Sequence, residues 1–115
     1  MNYKGSCHCG QIAFEVEGEL AQVADCNCSI CTRMGSLRWF IPRENLRLLT
    51  PEENLSTYTF GTKTIKHHFC PQCGIHPFGE GTDPSGNRKA AINVRCLEGV
   101  DLSALAVKQI DGRSR

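Results

Sequence analysis

Across residues 11–17 apolar and polar side chains alternate one by one. Ile12, Phe14 and Val16 fall on one face, and Gln11, Glu15 and Glu17 on the other. A period of two is the pattern of a strand with one face against a core. Similar short segments recur. Residues 38–41 read as a buried strand that Pro42 ends. Residues 46–49 and 55–60 flank Pro51-Glu52-Glu53-Asn54, a turn-forming run, and predict a hairpin. Residues 62–69 alternate with Ile65, His67 and Phe69 on one face. Asp83-Pro84-Ser85-Gly86-Asn87 is a strong turn, followed by a strand over 89–96 with Ala90, Ile92, Val94 and Cys96 on one side. Residues 107–110 give a last short strand.

Helix signals are brief. Ser29 can cap a turn running to Gly35, and Asp101 can cap another over 102–105. The pattern therefore predicts a mainly β fold, a small β-sandwich or open barrel with one or two short helical turns. Residues 1–110 form a single domain and 111–115 a C-terminal tail.

Composition narrows the possibilities. A chain of 115 residues suits one core. Thirteen basic and twelve acidic residues leave a net charge of +1, so no general attraction to nucleic acid or membrane is expected. The apolar runs fall far short of the ~20 residues that cross a bilayer as a helix. The first six residues, Met1-Asn2-Tyr3-Lys4-Gly5-Ser6, hold no apolar stretch of signal-peptide type. A cytoplasmic location, with reduced thiols, is the expectation.

Cysteine changes the picture, with eight in 115 residues. Pairs one or two residues apart are poorly placed to bridge each other and well placed to grip one ion together. Cys70-Pro71-Gln72-Cys73-Gly74 is a C-x-x-C-G knuckle, in which a tight turn aims both sulfurs at one point and the glycine allows positive φ. Cys7-His8-Cys9-Gly10 is C-x-C, which on an extended strand puts both sulfurs on one face. Two such half-sites make a closed tetrahedral Cys₄ zinc site. Cys7 and Cys9 are therefore paired with Cys70 and Cys73 as ligands of a structural zinc.

Cys26-Asn27-Cys28-Ser29-Ile30-Cys31 supplies three more thiols within six residues. Three protein ligands leave one tetrahedral position free, as in a catalytic zinc. A thiolate-rich zinc activates water poorly and suits holding an incoming thiolate instead. Cys31 is expected to open the helical turn, where the dipole favours a thiolate. With both ions bound the net charge falls to about −2. The three-cysteine site is expected to hold its ion less firmly, with Cys28 and Cys31 open to disulfide formation.

Cys96 offers an alternative: as a fourth ligand it would close the trio into a second structural site and make the protein a non-enzymatic zinc-stapled binding module. Its place in alternation with Ala90, Ile92 and Val94 argues instead for a core position. His8, His67, His68 and His76 lie near the Cys₄ ligands in sequence, and none is needed to complete that site. Arg33, Arg38, Arg95 and Lys66 could meet the carboxylates of an anionic substrate. Trp39 and Phe40 read as core, or one of them as a pocket wall.

These motifs are recognisable together. Gly5-Ser6-Cys7-His8-Cys9-Gly10, the trio with Arg33 and Gly35, Phe69-Cys70-Pro71-Gln72-Cys73-Gly74 and the closing run over 93–101 resemble the glutathione-dependent formaldehyde-activating enzyme family. The resemblance spans nearly the whole chain. It implies a zinc-containing β-sandwich in the superfamily that also holds methionine sulfoxide reductase B. It implies a structural zinc on Cys7, Cys9, Cys70 and Cys73 and a catalytic zinc on Cys26, Cys28 and Cys31. The implied activity is that of a carbon–sulfur lyase working in synthesis, joining glutathione and formaldehyde into S-hydroxymethylglutathione. Arg33 and Arg38 are the candidates for the substrate carboxylate. A sulfoxide reductase using Cys96 as nucleophile is disfavoured by the C-x-C half-site.

Overall fold

In a computed structural model, which describes residues 1–114, the chain is mainly β. Ten strands are present among the described residues: β1 (Asn2–Ser6), β2 (Ala13–Glu17), β3 (Gln22–Cys26), β4 (Arg38–Pro42), β5 (Leu46–Leu48), β6 (Ser56–Tyr58), β7 (Lys66–Phe69), β8 (Phe78–Thr82), β9 (Arg88–Asn93) and β10 (Ala106–Ile110). One short helix, α1 (Ser29–Met34), follows β3. The strands form a three-stranded sheet in the order β1-β2-β5 and a seven-stranded sheet in the order β10-β3-β4-β9-β8-β7-β6. Neighbours run antiparallel except β10, which lies parallel to β3. No helix among the described residues is long and apolar enough to cross a membrane.

The two sheets share one core. Phe14, Val16 and Leu46 come from the small sheet, and Trp39, Ile41, Phe78, Ala90 and Ile92 from the large one. The phase set by Ile12, Phe14 and Val16 is observed, since all three are fully buried. Phe14 meets Phe78 edge-on, with ring centroids 5.7 Å apart, and so ties the sheets together. A smaller cluster, Cys7, Ile12 and Cys70, carries the core out to the first cysteine group.

Several expectations need correction. Residues 46–49 and 55–60 do not form a hairpin. β5 pairs with β2, whereas β6 pairs with β7 in the other sheet. The turn at Glu52–Asn54 carries the chain from one sheet to the other, and Asn54 fastens it by donating to the Gln11 carbonyl at 2.9 Å. Residues 62–65 lie outside β7, and Ile65 is exposed. Within β7 the adjacent His67 and His68 are both buried, so each face of this strand is covered. His68 packs on Phe78 and its Nε2 lies 2.6 Å from Glu80 Oε2. Phe40 is 59% exposed and is not core. β9 stops at Asn93, and the chain then enters a 3₁₀ turn, Val94–Cys96, because the Asn93 side chain accepts from the Arg95 N–H. The Asp83 turn and the Asp101 cap are as expected, each aspartate accepting backbone N–H groups.

Candidate metal centres

Cys7 directly follows β1, and its carbonyl accepts from Gly10 N–H at 3.3 Å. The C-x-C pair thus sits in a turn between β1 and β2 rather than on a strand. A turn can converge the two sulfurs because Gly10, at φ 84°, takes a conformation closed to most residues. Cys7 Sγ and Cys9 Sγ lie 3.7 Å apart. The knuckle between β7 and β8 closes as expected: Gly74 N–H donates to the Cys70 carbonyl at 2.8 Å, and Cys73 N–H points at Cys70 Sγ at 3.5 Å. Cys9 Sγ and Cys70 Sγ are 3.6 Å apart, and all four sulfurs lie within 4.8 Å of one another.

These spacings test the fit to an ion. Tetrahedral zinc at ~2.3 Å from each sulfur places sulfurs about 3.8 Å from one another. The two measured separations match that edge, far from a disulfide's ~2.05 Å. Backbone N–H groups also face the sulfurs, from Ile12 to Cys7 at 3.3 Å and from Cys73 to Cys70. Such donors support thiolate charge. At Cys73 the backbone of Cys9 and of Ile75 holds the pKa down to about 6. At Cys9 the Gln11 backbone pulls the same way, but burial and the thiols of Cys70, Cys7 and Cys73 prevail and push it up to about 12.

The second group is built where β3 becomes α1. Cys26 ends the strand, Cys28 is the residue before the first helical turn, and Cys31 lies buried within that turn. Cys28, and not Ser29, occupies the cap position. The three sulfurs lie within 4.8 Å of one another, and Cys28 N–H points at Cys26 Sγ at 3.4 Å. Burial works against a Cys28 thiolate, but the N–H groups of Cys31 and Ile30 and the neighbouring thiols outweigh it and lower its pKa. At Cys31 burial dominates and pushes the pKa up to about 12, with the Arg38 charge opposing it. The thiol favoured by the helix start is therefore Cys28 rather than Cys31.

Cys96 does not join this group. Its Sγ approaches the His76 carbonyl at 3.9 Å, it packs on the main core, and its charge coupling is to Cys7 and Cys73. The reading of a second closed site completed by Cys96 is corrected accordingly. Burial comes first among the causes that push its pKa up to about 11.

Two residues unnoticed in the sequence frame the trio. Asn27 accepts from Arg113 N–H at 2.9 Å and donates to Asp111 Oδ1 at 3.0 Å, so the segment after β10 is held across the cysteines. Gly112 then passes so close that a Cβ there would stand 2.7 Å from Cys26 Sγ. On the other side of α1 a cleft of about 470 Å³ is lined by Ser29, Ile30, Arg33, Met34, Tyr58 and Phe60. Arg33 is exposed there and donates to the Ser29 carbonyl at 2.9 Å. Arg38 is buried. Arg95, Lys66 and His8 are exposed.

With both cysteine groups formed, comparison with known proteins becomes decisive. Residues 2–108 match the family model described as glutathione-dependent formaldehyde-activating enzyme. The chain belongs to that family. A fold similar to that of this formaldehyde-activating-enzyme family member is found in a crystal structure of a Rhodobacter sphaeroides protein, a structural-genomics target. The two are 36% identical and superpose with a TM-score of 0.78, over 91% of this chain and 99% of that one. In this family member both cysteine groups can hold a metal ion, and all-thiol donor sets suit zinc.

Proposed function

We propose that this protein is a zinc-dependent carbon–sulfur lyase that joins glutathione, or a related thiol, to formaldehyde or another small aldehyde. The observation that carries this reading is the trio Cys26, Cys28 and Cys31, with three sulfurs together and no fourth ligand group among the described residues. Cys7, Cys9, Cys70 and Cys73 would hold a structural zinc, and the trio a catalytic one. When bound at the trio, zinc supplies charge that favours the thiolate form of a guest thiol and a free coordination position to hold it.

The remaining steps fall to the chain's own residues. The N–H groups that open α1 face Cys28 and favour negative charge at that point. The cleft beside α1 can take the body of the thiol, with Tyr58 and Phe60 as an apolar wall. Arg33 at its rim is the candidate for a carboxylate of glutathione, charge against charge. Attack by the thiol sulfur on the aldehyde carbon forms one C–S bond. The carbonyl π pair moves to oxygen, and the proton lost by the thiol ends there, giving the S-hydroxymethyl adduct. We further infer a scaffold of the methionine sulfoxide reductase B-like superfamily and a cytoplasmic location, where reduced thiols persist. The family match and the two-sheet architecture support the first.

Exchange NMR of formaldehyde with glutathione tests the activity. Wild-type protein at micromolar concentration should accelerate exchange, and Cys28→Ser should abolish the acceleration. Equal exchange with and without the wild type overturns the proposal.

A further inference from the structure

Arg38 on β4 is only 6% exposed. Its Nε donates to Ser36 Oγ at 3.3 Å, and one terminal nitrogen lies 3.8 Å from Met34 Sδ, 3.5 Å from His67 Nδ1 and 3.4 Å from His76 Nε2. A carbonyl can only accept, so the 2.7 Å contact from His76 Nδ1 to the His68 carbonyl puts the imidazole hydrogen on Nδ1. Nε2 is then the acceptor for Arg38. A hydroxyl, a thioether and two imidazoles do not balance a guanidinium. Among the described residues Arg38 makes no ion pair, and the half-buried carboxylate of Glu80 is taken by Arg43, His68 and Arg88. A buried charge with no partner is strongly unfavourable.

The missing negative charge lies along the same segment. Met34 and Ser36, which hold the guanidinium, follow Cys31 on α1 and its exit, and Arg38 itself pairs on β4 with Ala24 of β3, two residues before Cys26. Zinc on three thiolates carries a formal charge of −1. The structure assigns Arg38 as the buried counter-cation of the three-cysteine centre, balancing the charge of its metal–thiolate group from beneath the helix. The assignment rests on the proposal that the trio holds zinc. It leaves Arg33, which is exposed at the cleft, as the arginine free to meet a substrate carboxylate.

The test compares full-length Arg38→Gln and Arg38→Lys with the wild type. Zinc affinity at each site is read by competition with a chromophoric chelator, and cobalt substitution reports the sulfur-to-metal absorption of the trio. We expect Arg38→Gln to weaken the trio by about 10- to 100-fold, the range of outer-shell substitutions at metal sites. The Cys₄ site should be unchanged and serves as the gauge of folding, while Arg38→Lys stays within a few-fold of wild type. A folded Arg38→Gln protein with wild-type affinity at the trio overturns the assignment and leaves the lyase proposal standing. A wild type that takes up metal only at the Cys₄ site overturns both. Should Arg38→Gln fail to fold, Arg38→Lys decides: retention of the second ion supports the assignment, and its loss overturns it.

Discussion

At the scale of single residues, the second cysteine group depends on space as much as on ligands. Gly112 lies where a Cβ would be 2.7 Å from Cys26 Sγ and 3.0 Å from Cys28 Cβ. Gly112→Ala must therefore lift the segment off the trio or displace a sulfur. Zinc affinity at the trio should fall by on the order of tenfold with the Cys₄ site unaffected, as read by metal competition. His76 gives a pH signature. Burial first, and then the Arg38 charge, hold its pKa down to about 4, so it stays neutral in the fold where an unfolded histidine binds a proton. Between pH 6.5 and 4 the unfolded chain takes up a proton that the native state refuses, and stability falls as acid is added. His76→Gln should show a flatter loss of stability over that window in denaturant titrations. An identical pH slope in the two proteins would discard this account. The two cysteine groups were legible because local spacing decides which neighbouring sulfurs can meet, and paired half-sites complete one another. Asn27 and Gly112 were not, because their roles come from contacts between residues more than eighty positions apart.

At the scale of elements, α1 is six residues long and cannot persist on its own. It is fixed at its start by the cysteine cluster and at its end by Gly35, whose φ of 65° lets its N–H reach the Cys31 carbonyl at 3.0 Å. Gly35→Ala should cost about 1 kcal/mol, seen as a small drop in thermal midpoint. The drop should be accompanied by faster zinc loss from the trio and not from the Cys₄ site. Periodicity identified β2, where Phe14 and Val16 meet the core, but it left β3 and β8 unread although Val23 and Phe78 are core residues. It failed between Leu48 and Ser56, where pairing partners are chosen by the second sheet and not by the local turn. It failed too at His67 and His68, since a strand covered on both faces shows no alternation.

At the scale of the whole molecule, the Cys₄ group joins the turn after β1 in the small sheet to the knuckle between β7 and β8 in the large one. On the proposed zinc assignment, ligation there would be coupled to folding of the entire domain, whereas the trio would close only a local bend. Gradual chelation should accordingly remove the trio's ion first with the fold intact, and the second ion should leave together with the loss of structure. Zinc release monitored alongside circular dichroism checks this, and simultaneous loss of both ions would contradict it. Cys70→Ser should lower stability far more than Cys28→Ser in the same melts.

The linear placement of these ligands has a kinetic consequence. On the ribosome, all three sulfurs of the trio have been polymerised once Cys31 is added, while Cys7 and Cys9 must wait for Cys73, more than sixty residues on. On the proposed zinc assignment, a nascent chain would capture its first ion at the centre expected to surrender it first in the mature molecule, so the sequence of loading and the sequence of release need not mirror each other.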